Sequence, residues 1–136
     1  DNDKQMVKDI FQSLGLIIEV REDEIEQITS LSACGLGFVA HLMDSFVEAG
    51  IKIGLSREIA TQITLQTFYG AVKTTSEDNI SPEKLRKCVA TKGGATEEGL
   101  HVLEEGKVAL AIEKAVEASY RKALSFDLIL RGFLYS

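Results

Sequence analysis

Residues 38–72, "FVAHLMDSFVEAGIKIGLSREIATQITLQTFYGAV", decide the fold. Val39, Leu42, Met43, Phe46 and Val47 follow a helical period and predict a strongly apolar helix from Phe38 to Lys52. Ser56 is an N-cap for a second helix, which carries Ile59, Ile63, Leu65, Phe68 and Val72. Both helices are apolar around more than one face. A lone bundle of this size hides less, so the pattern predicts burial against a second copy of the chain.

The flanking segments are read the same way. Upstream, "REDEIEQITSLSACG" has an acidic first turn and then Ile25, Ile28 and Leu31 at helical spacing. Downstream, Ser81-Pro82-Glu83 combines an N-cap, a proline at the first helical position and an acid facing the helix dipole. That helix holds Leu85, Cys88 and Val89 and is expected to stop at Gly93-Gly94. Thr96 is expected to open a helix to Glu105, and Gly106 to separate it from a last helix over Val108 to about Phe126. No linker divides Ser32 to Phe126, so the core is an all-α bundle.

The first residues differ. Met6, Val7, Ile10, Phe11 and Leu14 form one helical stripe with Gly15 as its stop, and "LIIEV" (Leu16 to Val20) reads as a short β-branched strand. One strand cannot form a sheet. The unit over residues 1–21 is therefore expected to be the remnant of a larger sheet.

Composition excludes several classes. The 136 residues are 45% hydrophobic and 26% charged, as in an ordinary globular domain. A formal net charge of -6, with Lys and Arg scattered singly, argues against a nucleic-acid partner. No apolar run is expected to reach membrane-spanning length and no signal segment is read at the start of the chain, so a cytoplasmic protein without a membrane partner is expected. Cys34 and Cys88 lack metal-ligand spacing and are expected to be buried free thiols.

The usual catalytic sets are missing. His41 and His101 read as packed or surface histidines, and neither a zinc nor a Walker motif occurs, so no catalytic residue and no metal ligand is assigned. Gly35-Leu36-Gly37 follows a helical stretch rather than a strand, and fails as a dinucleotide turn. The remaining feature is "TKGGAT", residues 91–96. Two readings fit it. The glycines make a plain turn and Thr96 caps its own helix, with Glu97 and Glu98 answering the helix dipole; or the loop amides, the helix start and the Thr96 hydroxyl form a seat for a small carboxylate or phosphate.

Three longer stretches bear on that choice. "EDEIEQITSLSACGLGFVAHLMDSFVEAGIKIGLSREIATQITLQTFYGAVK", "ISPEKLRKCVATKGGATEEGLHVLEEG" and "AIEKAVEASYRKAL" together resemble the C-terminal part of pyrroline-5-carboxylate reductase. The likeness runs from about Met6 to Ala123 and keeps "EAGIKIGLSRE", "LQTFYGAVK", "GGAT" and "GLHVLEEG" in the family's order.

The resemblance implies a helical domain of the 6-phosphogluconate dehydrogenase C-terminal type over residues 22–126, forming an interlocked homodimer, with residues 127–136 as an apolar tail. Residues 1–21 would then be the last helix–strand unit of an N-terminal Rossmann domain. It implies reduction of 1-pyrroline-5-carboxylate to proline with NADP or NAD, in the full-length protein; this chain alone is expected to bind no nucleotide and to be inactive. It also favours the carboxylate seat, with Thr91, Gly93, Gly94, Ala95 and Thr96 binding the substrate and Ser32, Cys34 and Gly35 bordering the active site.

Thr91 stands where that family usually has serine, and Lys92 where it has proline. "SACGLGF" replaces a serine-glycine-serine-glycine-proline-alanine-tyrosine run, keeping only Ser32 and Gly35. These departures leave open a relative with another imine substrate, a regulatory role, or a ligand-free dimerisation module.

Overall fold

A computed structural model describes the backbone of residues 2–134 and the side chains of residues 3–126. Helix α1 spans Asn2–Phe11 and is followed by a 3-10 turn at Gln12–Leu14; a second 3-10 turn, Glu22–Glu24, leads into α2, Ile25–Leu31. Then come α3, Ala33–Lys52; α4, Arg57–Glu77; α5, Pro82–Val89; α6, Ala95–Glu105; and α7, Val108–Leu134. Among the described residues there is no β-strand, and the all-α expectation holds.

The helix starts follow local chemistry. The Ser56 hydroxyl accepts the Ile59 amide at 3.3 Å, and the Ser81 hydroxyl accepts the Lys84 amide at 3.1 Å with Pro82 in the first helical position. Each serine satisfies one of the amides that a helix start leaves without a partner. Helix α3 begins five residues earlier than expected, because Ser32 keeps helical angles and its carbonyl accepts the Leu36 amide at 3.0 Å. The segment "SACGLGF" is thus helical, and α2 runs almost directly into α3 despite two glycines that disfavour helix.

The expected strand does not form. Residues 16–20 have no regular structure, because no second strand offers their backbone groups a ladder. The segment is instead tied back to α1 by Glu19, which accepts hydrogen bonds from Lys4 at 2.5 Å and Lys8 at 3.3 Å. The Lys4 hydrogen bond, with Lys8 behind it, holds the Glu19 carboxyl below the usual carboxylate range. All three side chains are exposed, so solvent screens the clasp.

The best packed unit is the α3–α4 hairpin. Gly50 lets Ala60 approach so closely that a Cβ on Gly50 would lie 2.9 Å from the Ala60 Cβ. Further along, Phe46 and Phe68 meet edge to face with ring centroids 5.3 Å apart, and Arg57 pairs with Glu48 at 2.7 Å. On the other side, α2, α3 and α6 lie against α7, while α4 packs only on α3 and α5 to any extent. The α4–α5 arm therefore stands away from α7.

This leaves very little interior. Among the described side chains the only buried apolar ones are Val47 and Ala60. The chain exposes 11,250 Å², against about 7,000 Å² for a compact monomer of its 14.9 kDa mass. Exposed apolar side chains contribute to it, among them Ile63, Leu65, Tyr69 and Val72 on α4, all more than half exposed. For the same reason the expectation of buried thiols is not met: Cys34 is half-buried and Cys88 exposed. The expectation that no run reaches membrane length also needs correction, since Glu22–Lys52 is long and apolar enough by length and composition alone.

At the other end, α7 continues past Phe126 as backbone helix to Leu134. The side chains of the expected tail, residues 127–136, lie outside those described. At the α6–α7 junction Gly106 keeps a negative φ of -69° and Lys107 takes the left-handed conformation, φ 52°. An L side chain is disfavoured there. Lys107→Gly should therefore raise stability by about 0.5–1 kcal/mol in urea denaturation, strain relief outweighing glycine's greater unfolded freedom.

Candidate functional site

Residues 91–96 form a tight turn into α6. The Gly94 amide donates to the Thr91 carbonyl at 2.9 Å, with φ of +72° at Gly93 and a negative φ at Lys92. Those features define a type II turn, and its third position is one that glycine fills best. Gly94 has a different reason to be glycine. Its angles (φ -88°, ψ 164°) are open to any residue, but an added Cβ would lie 2.4 Å from Thr91 Oγ1 and 2.9 Å from the Thr91 carbonyl oxygen.

Two sequence expectations need correction here. Thr96 is not the cap, because α6 starts at Ala95 with Gly94 in the N-cap position and no side chain capping it. The glycine amides do not stand free either. Gly94 is used by the turn, and the Gly93 amide donates to Glu97 Oε2 at 2.7 Å. Glu97 occupies the third helical position and reaches back over the helix start, as the acid of a capping box does. The open part of the loop is therefore the first turn of α6. Ala95, Thr96 and Glu97 hold the positions whose amides a helix leaves without carbonyl partners, and the Thr91 and Thr96 side chains are exposed beside them.

The bordering residues lie elsewhere in the chain. Ser32 turns its hydroxyl back onto the Ile28 carbonyl at 2.7 Å. Ser32 and Gly35 line an apolar groove of about 680 Å³ between α2–α3 and α7, together with Leu31, Leu42 and Ile112. Cys34 is not part of its wall, and neither is any residue of 91–96. One chain thus does not bring the two expected site segments together. The groove was not read from the sequence, although its cause was: apolar residues on more faces than one bundle fills. Among the described residues no three His, Cys, Asp or Glu side chains cluster as metal ligands.

Residues 22–126 match the family model for pyrroline-5-carboxylate reductase dimerisation. The chain belongs to that family.

Among curated relatives, pyrroline-5-carboxylate reductase 2 of Homo sapiens is 36% identical over 117 residues, 86% of this chain and 37% of the relative. The pyrroline-5-carboxylate reductase of Staphylococcus aureus (strain COL) is 29% identical over 126 residues, 93% of this chain and 46% of the relative. Among solved structures, a pyrroline-5-carboxylate reductase from Coxiella burnetii superposes with a TM-score of 0.87 at 33% identity, covering 92% of this chain and 47% of that one. The Plasmodium falciparum pyrroline carboxylate reductase with NADP bound gives a TM-score of 0.84 at 35% identity, covering 90% and 49%.

The chain spans less than half the length of these relatives. Gly35-Leu36-Gly37 does not form a dinucleotide turn. A phosphate-binding turn needs a strand, a glycine-rich turn and an open helix start, whereas Gly35 and Gly37 lie inside α3 behind a continuous α2.

Proposed function

We propose that this chain is the dimerisation and substrate-carboxylate-binding part of a pyrroline-5-carboxylate reductase. The observation that carries this reading is the match over residues 22–126 combined with a fold that leaves some 4,000 Å² more surface exposed than a compact monomer would. Obligate interfaces bury on the order of 2,000–5,000 Å² and resemble a core cut in half. The α3 and α4 faces are the surfaces that two interlocked copies would share.

In this reading the nicotinamide cofactor, NADP or NAD, supplies the hydride and sits in a part of the protein outside these residues. The chain's own contribution is placement. The first-turn amides of α6 and the Thr91 and Thr96 hydroxyls hold the carboxylate of 1-pyrroline-5-carboxylate, and the positive end of the helix favours that anion. The protein works in the cytoplasm, with itself and this small carboxylate as partners.

The segment "SACGLGF" favours a second reading, in which the same domain serves another cyclic imine. The test uses the full-length protein. It should sediment as a dimer or larger at micromolar concentration and oxidise NADPH with 1-pyrroline-5-carboxylate. A folded monomer overturns the interlocked dimer, and a higher kcat/KM for a six-membered imine carboxylate selects the second reading.

A further inference from the structure

The hydrogen bond from the Gly93 amide to Glu97 at 2.7 Å places a carboxylate of the chain itself on the loop assigned to the substrate's carboxylate. We propose that Glu97 is a built-in competitor: held on the Gly93 amide beside the open first-turn amides of α6, its side chain keeps a negative charge at the seat in the free protein and must swing away before a ligand carboxylate binds. The inference rests on the carboxylate-seat reading above.

Three observations shape it. Glu97 is half-buried, so its charge is less screened there than that of a freely exposed acid. Lys92, the neighbouring cation of the turn, makes no ion pair with Glu97 among the described residues, so the Gly93 amide is the partner that holds the carboxylate in place. Glu97 also forms one wall of a small groove between α5 and α6, with Arg86, Lys87, His101 and the acid Glu104. Arg86 is already paired with Glu104 and Lys87 with Glu83, but both pairs are solvent-exposed and easily exchanged. The groove gives the Glu97 side chain a place to go, with cations to receive it. The loop therefore has two occupants of one chemistry, an internal and an external carboxylate.

The energetics follow from population. If Glu97 holds the loop for about nine-tenths of the time, ligand affinity falls about tenfold, because only the open fraction binds. Removing the competitor restores that factor. A purely structural cap predicts the opposite sign: losing it loosens the helix start and weakens binding.

The experiment titrates L-proline, as a carboxylate probe, into the full-length protein and measures KM for 1-pyrroline-5-carboxylate. Glu97→Ala should bind proline about 3- to 10-fold more tightly and lower KM by a similar factor with kcat little changed. Glu97→Gln, which keeps an acceptor but loses the charge, should fall between. Equal or weaker binding in Glu97→Ala overturns the competition. Gly94→Val separates this failure from that of the seat itself: if it abolishes binding while Glu97→Ala gains nothing, the seat stands and the competition fails. If Gly94→Val binds normally, the seat is wrong and the competition goes with it.

Discussion

Gly50→Val should open the α3–α4 hairpin and release monomers from an assembly that the wild-type chain holds together. The added Cβ would lie 2.9 Å from the Ala60 Cβ and 3.7 Å from the Ala60 Cα. Ala60 is 2% exposed and belongs to the backbone of α4, so it cannot swing aside as a long side chain would. The two helices must separate, and with them the Phe46–Phe68 pair and the turn in which the Leu55 amide donates to the Gly50 carbonyl at 3.1 Å. Overpacking of this kind costs about 1–3 kcal/mol, and a symmetric dimer counts it twice. Gly50→Ala places the same Cβ and should cost less, having no branch to force further in. Urea denaturation and sedimentation of the full-length variants check both effects. A Gly50→Val protein that remains a dimer of wild-type stability would show that the hairpin does not carry the interface.

The hairpin was legible because its signals are local and redundant. Apolar residues every three or four positions, and a serine directly before Arg57, specify two helices whatever surrounds them. The strand expected over Leu16 to Val20 is absent from this chain for the converse reason. β-Branched residues record what a segment prefers once a neighbour supplies a ladder, and the described residues hold no such neighbour. The loop falls between these cases. Its turn was visible in the glycine pair, but the choice between Gly94 and Thr96 as cap depends on a single residue of helix register, and helix ends are where sequence patterns discriminate least. That Glu97 reaches the Gly93 amide follows from that register, which places it at the third helical position. Likewise, the separation of 91–96 from the groove around Ser32 and Gly35 is tertiary information, which no spacing along the chain contains.

Gly94→Val should abolish carboxylate binding in the full-length protein while leaving it folded. The reason is proximity rather than backbone angle, since φ -88° and ψ 164° suit valine well. Its Cβ would lie 2.4 Å from Thr91 Oγ1 and 2.9 Å from the Thr91 carbonyl oxygen. The threonine side chain has room to rotate. The carbonyl does not, because it accepts the Gly94 amide and closes the turn. The turn must therefore open, which shifts Gly93 and the first amides of α6. A displacement near 1 Å at a site built on placement costs on the order of 100-fold. The loop is exposed and lies outside the α3–α4 hairpin that holds Val47 and Ala60, so the melting temperature should change little. Thr96→Val isolates one donor of the same site. In the proposed seat the Thr96 hydroxyl donates to the ligand carboxylate, and its loss should weaken binding by about 1–3 kcal/mol. Because Gly94 and not Thr96 is the N-cap, stability should stay within about 0.5 kcal/mol of wild type, the range of ordinary surface substitutions. Affinity lost without stability lost is the signature of a ligand contact. If Thr96→Val instead lowers the melting temperature and leaves proline binding intact, Thr96 serves the helix, and the carboxylate seat has to be sought elsewhere on the dimer.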